Sequence, residues 1–235
     1  KNKDIKIAIT ANANAVTVAE HVLSNLFYIT KKGTLYDETV RTGKFSDRNK
    51  LPKMIELWNK NFLIVGFGRI GKALIKRCLG LEMNVNVYDP YVLEDEIKQN
   101  GGKKIDKLDD AVKSADVISL HVPLTDKTKN LFNYDLIKTL KKNCILINAS
   151  RGGIVNEFDL DRALNENLIL GAGIDVFEKE PPESSNPLLS NPKVFLSPHT
   201  AAFTEECMTR MGVETIQNII DFFNENLDRS KIVKL

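Results

Sequence analysis

The six residues Gly66-Phe67-Gly68-Arg69-Ile70-Gly71 combine types and spacing that could do definite chemistry. An apolar run, Phe62–Val65, leads into them, and an amphipathic run, Arg69–Leu79, leads out. In a strand–turn–helix setting, Gly66 permits the tight turn, Gly68 lets backbone approach a pyrophosphate, and Gly71 lets the helix pack close to the strand. The positive end of the helix then faces the anion, with Arg69 and Ile70 contributing backbone N–H groups. Further on, the run Val85–Tyr88 ends in Asp89, a carboxylate placed to accept from both ribose hydroxyls and to repel a 2′-phosphate. The pattern predicts a dinucleotide site that prefers NAD to NADP. The plain alternative is a glycine turn, with Asp89 a turn former before Pro90. Strand, glycines, helix, second strand and terminal Asp together favour the dinucleotide reading, and Asp89 disfavours NADP even if it also forms the turn.

Two other side chains stand where open α/β sheets place their sites, just past the carboxyl end of a strand. His199 follows Val194–Ser197, and Arg151 follows Ile145–Asn148. Imidazole titrates near neutral pH and can give or take a proton in a reversible reaction. A guanidinium followed by Gly152 and Gly153 could hold a carboxylate through two parallel hydrogen bonds. Alone, each has an ordinary alternative: a packed or solvated histidine, and a surface arginine in a glycine loop.

The elements that must position these residues alternate in type. Strands are expected at Phe62–Val65, Val85–Tyr88, Val117–Leu120, Ile145–Asn148, Leu170–Asp175 and Val194–Ser197. Helices are expected between them at Arg69–Leu79, Leu108–Lys113, Tyr134–Leu140 and Asn156–Asn165. Strand and helix taking turns predicts a parallel sheet covered on both faces. The strands read as continuous apolar runs, as burial on both faces requires. Asn156 is expected to cap the helix that begins at Glu157. Thr204 is expected to cap a final helix running to about Phe223, with Glu205 and Glu206 at its positive end. Before the nucleotide motif lie a short strand candidate, Ile5–Ile9, a helix from about Val16 to Lys31, and a polar stretch through Lys50.

Composition excludes several classes of function. With 33 basic and 31 acidic side chains among 235 residues the net charge is +2, which gives no reason to expect nucleic acid or an anionic membrane as partner. No apolar run is long enough to span a bilayer, and the N-terminus does not read as a secretory signal. Lacking an initiator Met, the chain is expected to be processed or cut from something longer. Cys78, Cys144 and Cys207 fit no metal or CxxC spacing, so no metal is expected. Read as reduced, packed thiols, they favour a reducing, cytoplasmic compartment.

Six segments, in this order, carry a specific resemblance: Asn14-Ala15-Val16-Thr17-Val18-Ala19-Glu20; Val65–Gly71; His121-Val122-Pro123-Leu124-Thr125; Ile147–Gly152; Gly173-Ile174-Asp175-Val176-Phe177-Glu178-Lys179-Glu180-Pro181; and Ser197-Pro198-His199-Thr200-Ala201-Ala202. Together they resemble the D-isomer-specific 2-hydroxyacid dehydrogenases over nearly the whole chain. The resemblance implies an α/β, Rossmann-type doubly wound parallel sheet with a remnant of a second, substrate domain. It implies hydride transfer between the nicotinamide of NAD and C2 of a 2-hydroxy or 2-keto acid. In that setting His199 would be the acid–base group, Arg151 the carboxylate holder, and Glu180 the carboxylate that orients His199 and favours its protonated form. Glu178 competes with Glu180. The family's carboxylate immediately precedes proline, which selects Glu180 and leaves Glu178 a solvated loop charge. Asp175 would accept from the nicotinamide carboxamide. Ala149, Pro123, Thr125 and Thr128 would line the cofactor cleft, with Asn14 facing the nicotinamide pocket. His21 and His121 are read as structural.

The resemblance begins near the end of the family's substrate domain. Residues 1–12 are therefore expected to be a remnant of that domain, 13–202 the NAD-binding domain, with 13–43 a dimerisation arm, and 203–235 a helix and tail leading back to the substrate domain. By itself such a chain is expected to bind NAD, keep its catalytic trio and turn over poorly. Competing readings are an NAD-sensing corepressor on the same fold, and a formate dehydrogenase relative, which would carry Gln where Glu180 stands.

Overall fold

The computed structural model describes residues 6–233. Helix α1 (Ala15–Lys31) and α2 (Gly33–Arg41) precede the first strand, β1 (Asn61–Val65). Then come α3 (Arg69–Gly80), β2 (Asn84–Tyr88), α4 (Glu94–Gln99), β3 (Lys103–Lys104), α5 (Leu108–Ser114) and β4 (Val117–Leu120). The chain continues through α6 (Tyr134–Ile137), β5 (Ile145–Asn148), α7 (Glu157–Asn165), β6 (Gly171–Ile174), β7 (Val194–Leu196) and α8 (Glu205–Phe223).

Among the described residues the seven strands form one sheet in the order β3-β2-β1-β4-β5-β6-β7, every pairing parallel. The order reverses between β1 and β4, which opens a crevice outside the carboxyl ends of the strands. The register pairs Val65 with both Tyr88 and Leu120, Leu120 with Asn148, Asn148 with Ile174, and Ile174 with Leu196. The next residue of each strand therefore falls on one edge: Gly66, Asp89, His121, Ala149, Asp175 and Ser197. Residues far apart in sequence are collected there by strand pairing alone.

Alternate side chains of the strands go to opposite faces. Leu63 and Val65 join a core with Ile137, Leu160 and Leu164, under α6 and α7. Phe62 and Ile64 join another with Val22 and Leu26 of α1 and Leu74 and Cys78 of α3. Each such side chain, wholly buried, contributes about 1.5–3 kcal/mol relative to leaving it in water. The two cores clamp the sheet and hold its functional edge still.

Most expected elements are present, with ends shifted by a residue or so. Asn156 accepts from the Asp159 N–H at 3.0 Å and Thr204 from the Cys207 N–H at 3.2 Å, so both expected caps form. The differences have physical causes. Tyr134–Leu140 is α-helical only over Tyr134–Ile137, because Thr139 and Leu140 turn back to Leu136 and Ile137 instead. The strand expected at Leu170–Asp175 narrows to Gly171–Ile174. Of the strand expected at Ile5–Ile9, Ile5 lies outside the described residues; residues 6–9 join no sheet and make one antiparallel bridge, Ala8 to Ile232, with Ile9 N–H donating to Lys231 O at 3.0 Å. The stretch expected to be merely polar holds α2, none of whose residues is buried. No helix among the described residues is long and apolar enough to cross a membrane.

Candidate functional site

The glycine loop owes its shape to contacts that leave no room for side chains. Gly66 has φ +96°, and a Cβ there would lie 2.6 Å from the His121 carbonyl oxygen, so β1 and β4 touch backbone to backbone. A Cβ on Gly71 would lie 2.6 Å from Gly66 O. Gly68 is different: a Cβ there would meet nothing within 4 Å. Gly68 is also the N-cap of α3, without a side-chain cap. Open space over an uncapped helix start, where Arg69 and Ile70 have free N–H groups, is a cradle of the kind an anion fills. The residues present thus fit a bound pyrophosphate.

Asp89 sits beside this loop. Its Oδ2 accepts from the Phe67 N–H at 2.8 Å and its Oδ1 from the Tyr91 N–H at 2.8 Å. It is both turn former and loop brace. Each oxygen keeps a second lone pair for another donor.

A cleft of about 280 Å³ brings Asn14, Ile70, Pro123, Ala149, Arg151, Asp175 and His199 together. Of the cofactor-side residues expected from sequence, Thr125 and Thr128 do not line it, and Gly66, Gly68, Arg69, Gly71 and Asp89 lie on the glycine loop and β2 end outside its lining. The Thr128 hydroxyl instead donates to Pro123 O at 2.6 Å and accepts from the Thr125 N–H at 2.8 Å, shaping the loop that presents Pro123. Asn14 precedes α1 yet makes no capping bond with its side chain, which is left to the cleft.

His199 is held by backbone and carboxylate at once. Its φ of +53° is unusual for a residue with a Cβ. It persists because the His199 N–H donates to Asp175 O at 2.8 Å and to Ser197 O at 3.1 Å. Its Nδ1 lies 2.7 Å from Glu180 Oε2, while Glu180 Oε1 accepts from the Phe177 N–H at 3.0 Å. A carboxylate can only accept, so Nδ1 carries a proton and Nε2 is left without a partner among the described residues. Burial pushes the Glu180 carboxyl up, but hydrogen bonds from His199 and Phe177, with the charges of His199 and Arg151, outweigh it and hold the group below its ordinary value. Glu178 is exposed, and only its backbone N–H is engaged, by Glu157 Oε1 at 2.7 Å. A larger apolar cavity of about 450 Å³ also borders His199 and Glu180.

Arg151 projects from a loop stapled by Asn148, whose Nδ2 donates to Arg151 O at 2.9 Å while its Oδ1 accepts from Ser150. Gly152 presses that loop onto the Glu180 loop: a Cβ there would lie 1.7 Å from Phe177 O. The Arg151 loop and the Glu180 loop thus meet backbone to backbone at this contact.

Asp175 is wholly buried. Oδ1 accepts from the Ser197 hydroxyl at 2.5 Å and the Thr200 N–H at 2.9 Å, and Oδ2 from the Ala201 N–H at 2.9 Å. Its first effect is to shape the His199 loop. His21 joins this group, with Nε2 3.0 Å from Ser197 Oγ and 3.6 Å from Asp175 Oδ1. Sequence reasoning missed the roles of Ser197 and Asn148, because no spacing marks them; His21, read as structural, is bonded within this group. His121 hydrogen-bonds Ser119 Oγ at 2.9 Å, and burial pushes its pKa down to about 4, which keeps the ring neutral. Among the described residues, no three His, Cys, Asp or Glu side chains are grouped to hold a metal ion.

Residues 23–201 match the family model described as D-isomer specific 2-hydroxyacid dehydrogenase, NAD binding domain. A D-3-phosphoglycerate dehydrogenase of Archaeoglobus fulgidus is 36% identical over 93% of this chain and 41% of its own length. The chain thus spans about two fifths of that relative. A glyoxylate reductase of Korarchaeum cryptofilum is 33% identical over 99% of this chain and 72% of its own. Among solved structures, a D-lactate dehydrogenase from Aquifex aeolicus complexed with NAD and lactic acid superposes with TM-score 0.86 at 28% identity, over 97% of this chain and 72% of that one. A formate dehydrogenase from Staphylococcus aureus in complex with NAD gives 0.85 at 29% identity, over 99% and 69%.

Proposed function

The chain belongs to the D-isomer-specific 2-hydroxyacid dehydrogenase family, and on that premise we propose that it is the NAD-binding and proton-transferring part of an enzyme acting on a small 2-hydroxy or 2-keto acid. The observation that carries this is that His199, held by Glu180 at 2.7 Å, shares one cleft with Arg151 and with Ile70 of the glycine loop.

Gly66, Gly68, Gly71 and the N–H groups of Arg69 and Ile70 would hold the pyrophosphate, and Asp89 the adenosine ribose. A fixed carboxylate there favours NAD over NADP. The nicotinamide half would then lie over β4–β6, against Pro123, Ala149 and Asp175, where the second acceptor site of Asp175 Oδ2 is available to its carboxamide. The cofactor supplies or accepts the hydride. Arg151 binds the substrate carboxylate through parallel hydrogen bonds and polarises the adjacent carbonyl. During reduction, His199 Nε2 gives its proton to the C2 oxygen; during oxidation it takes the proton back. Glu180 keeps the ring oriented and stabilises its cationic form.

The Glu180 carboxylate at His199 favours this chemistry over the formate reading, and none of the relatives named above is a corepressor. The antiparallel bridge of Ala8 with Ile232 supports reading the two chain ends as the start of a second lobe. Val16, Leu35 and Val40 are exposed, which supports a homodimer built through the arm at 13–43. Three buried free cysteines support a reducing, cytoplasmic compartment.

The test is calorimetric titration with NAD⁺ and NADP⁺, for the wild type and for Asp89→Ala. NAD⁺ preference that relaxes in the variant supports the cofactor reading; binding of neither nucleotide overturns it. In the full-length protein, His199→Gln should lower kcat by about 10²–10⁴-fold on any 2-keto acid it reduces. Unchanged kcat would remove His199 from the mechanism.

A further inference from the structure

Asp175 is a buried carboxylate without a lysine or arginine partner in its hydrogen-bond shell, which consists of Ser197, Thr200 and Ala201. The group that could answer its charge is His21, 3.6 Å away on α1 and linked to it through Ser197. Other charges near this part of α1 are engaged elsewhere. Glu20 is paired with Arg77 of α3 at 2.8 Å. Arg210 of α8 donates to Ala13 O and to the Thr17 hydroxyl. His199, from the β7 loop, turns its Nδ1 to Glu180. Burial lowers the pKa of His21 and the Asp175 charge opposes that shift without reversing it, so His21 is neutral at neutral pH.

The oxidised nicotinamide ring carries a positive charge and the reduced ring carries none. A buried negative charge at the ring's end of the cleft discriminates between them. We infer that His21 is a positioning residue for that charge and sets the balance of affinity between NAD⁺ and NADH. Neutral, it leaves the Asp175 carboxylate to favour the cationic ring. Protonated, it cancels that carboxylate and the preference for NAD⁺ falls. The inference rests on reading this cleft as the nicotinamide site.

The experiment measures the dissociation constants of NAD⁺ and NADH from pH 5 to pH 8, for the wild type and for His21→Gln. Glutamine can keep the bond to Ser197 but does not titrate. In the wild type the ratio of NAD⁺ to NADH affinity should fall by about tenfold on acidification, a size set by one charge acting across a partly screened interior. Every other group beside the cleft is common to both proteins, so the readout is the difference between their two curves. A smaller fall in His21→Gln supports the inference; superimposable curves overturn it. Should the variant not fold, the wild type alone decides through reciprocity. Followed by ring-proton NMR, His21 should titrate about one pH unit lower with NAD⁺ bound than with NADH bound. Equal titration with both nucleotides overturns the inference and leaves the cofactor reading standing. Binding of neither nucleotide at any pH removes both.

Discussion

Gly152→Ala tests whether one close approach holds the candidate site together. The new Cβ would lie 1.7 Å from Phe177 O, 2.0 Å from Phe177 C and 2.6 Å from Glu178 N. Ordinary contact for a carbon is about 3.5–4.0 Å, so the two loops must part by roughly 1.5–2 Å. Neither can do so freely. The Phe177 side chain lies in the core, its N–H is bound to Glu180, and the Glu178 N–H is bound to Glu157. The Arg151 loop is stapled by Asn148. Overpacking in a fixed core costs about 1–3 kcal/mol, and backbone pressed on backbone belongs at or above the upper end. For a protein of this size about 3 kcal/mol lowers Tm by roughly 6–12 °C. Thermal unfolding by calorimetry measures this directly. Gly68→Ala is the matched contrast. Its Cβ meets nothing within 4 Å, so Tm should hold while NAD⁺ affinity drops by about tenfold or more, because the methyl fills the anion cradle. A Tm for Gly152→Ala within about 2 °C of wild type would refute the argument that this contact fixes the site.

Further predictions concern pH, packing and thiols. Glu180 has a folded pKa below its unfolded value, so it adds stability above the ordinary glutamate range, and that increment is lost as pH falls through the folded pKa. The Tm gap between wild type and Glu180→Gln should therefore be widest near neutral pH and close in acid; because Glu180 is 38% exposed, solvent screening keeps the gap small. A gap that widens on acidification would contradict the sign. Asn25 is wholly buried and both polar atoms of its amide lack hydrogen-bond partners, so Asn25→Leu should stabilise the fold by about 1–3 kcal/mol in denaturant unfolding, and a loss of stability would show that the amide is needed. Burial pushes the thiols of Cys78 and Cys144 up to about 12. An aromatic disulfide reagent at pH 8 should leave both untouched until the protein is unfolded, and rapid native labelling would show that they are accessible.

Much of the fold was legible in the sequence because its strands are short apolar runs that no other local structure suits. The carboxyl ends of those runs, read as sites from Gly66, Arg151 and His199 alone, do fall on one edge of the sheet. What escaped reading were elements without an apolar signature. Strand β3 is two lysines made into a strand by pairing with β2, α4 buries only Ile97, and α2 buries nothing. The described part of the strand expected at Ile5–Ile9 had the opposite defect, a plausible pattern that pairs only through the Ala8–Ile232 bridge.

The sequence by itself determined the sheet, the glycine cradle and the identity of the groups able to move a proton or hold a carboxylate, because periodicity and residue chemistry are local properties. The tertiary structure decided their relations. Glu180 rather than Glu178 meets His199 because the Phe177 N–H anchors one carboxylate oxygen and leaves the other facing the ring. Asp175 braces the His199 loop and meets His21 because α1 packs across β6, bringing together residues more than 150 positions apart in the chain. Distances across a fold are fixed by packing, and no spacing along the chain encodes them.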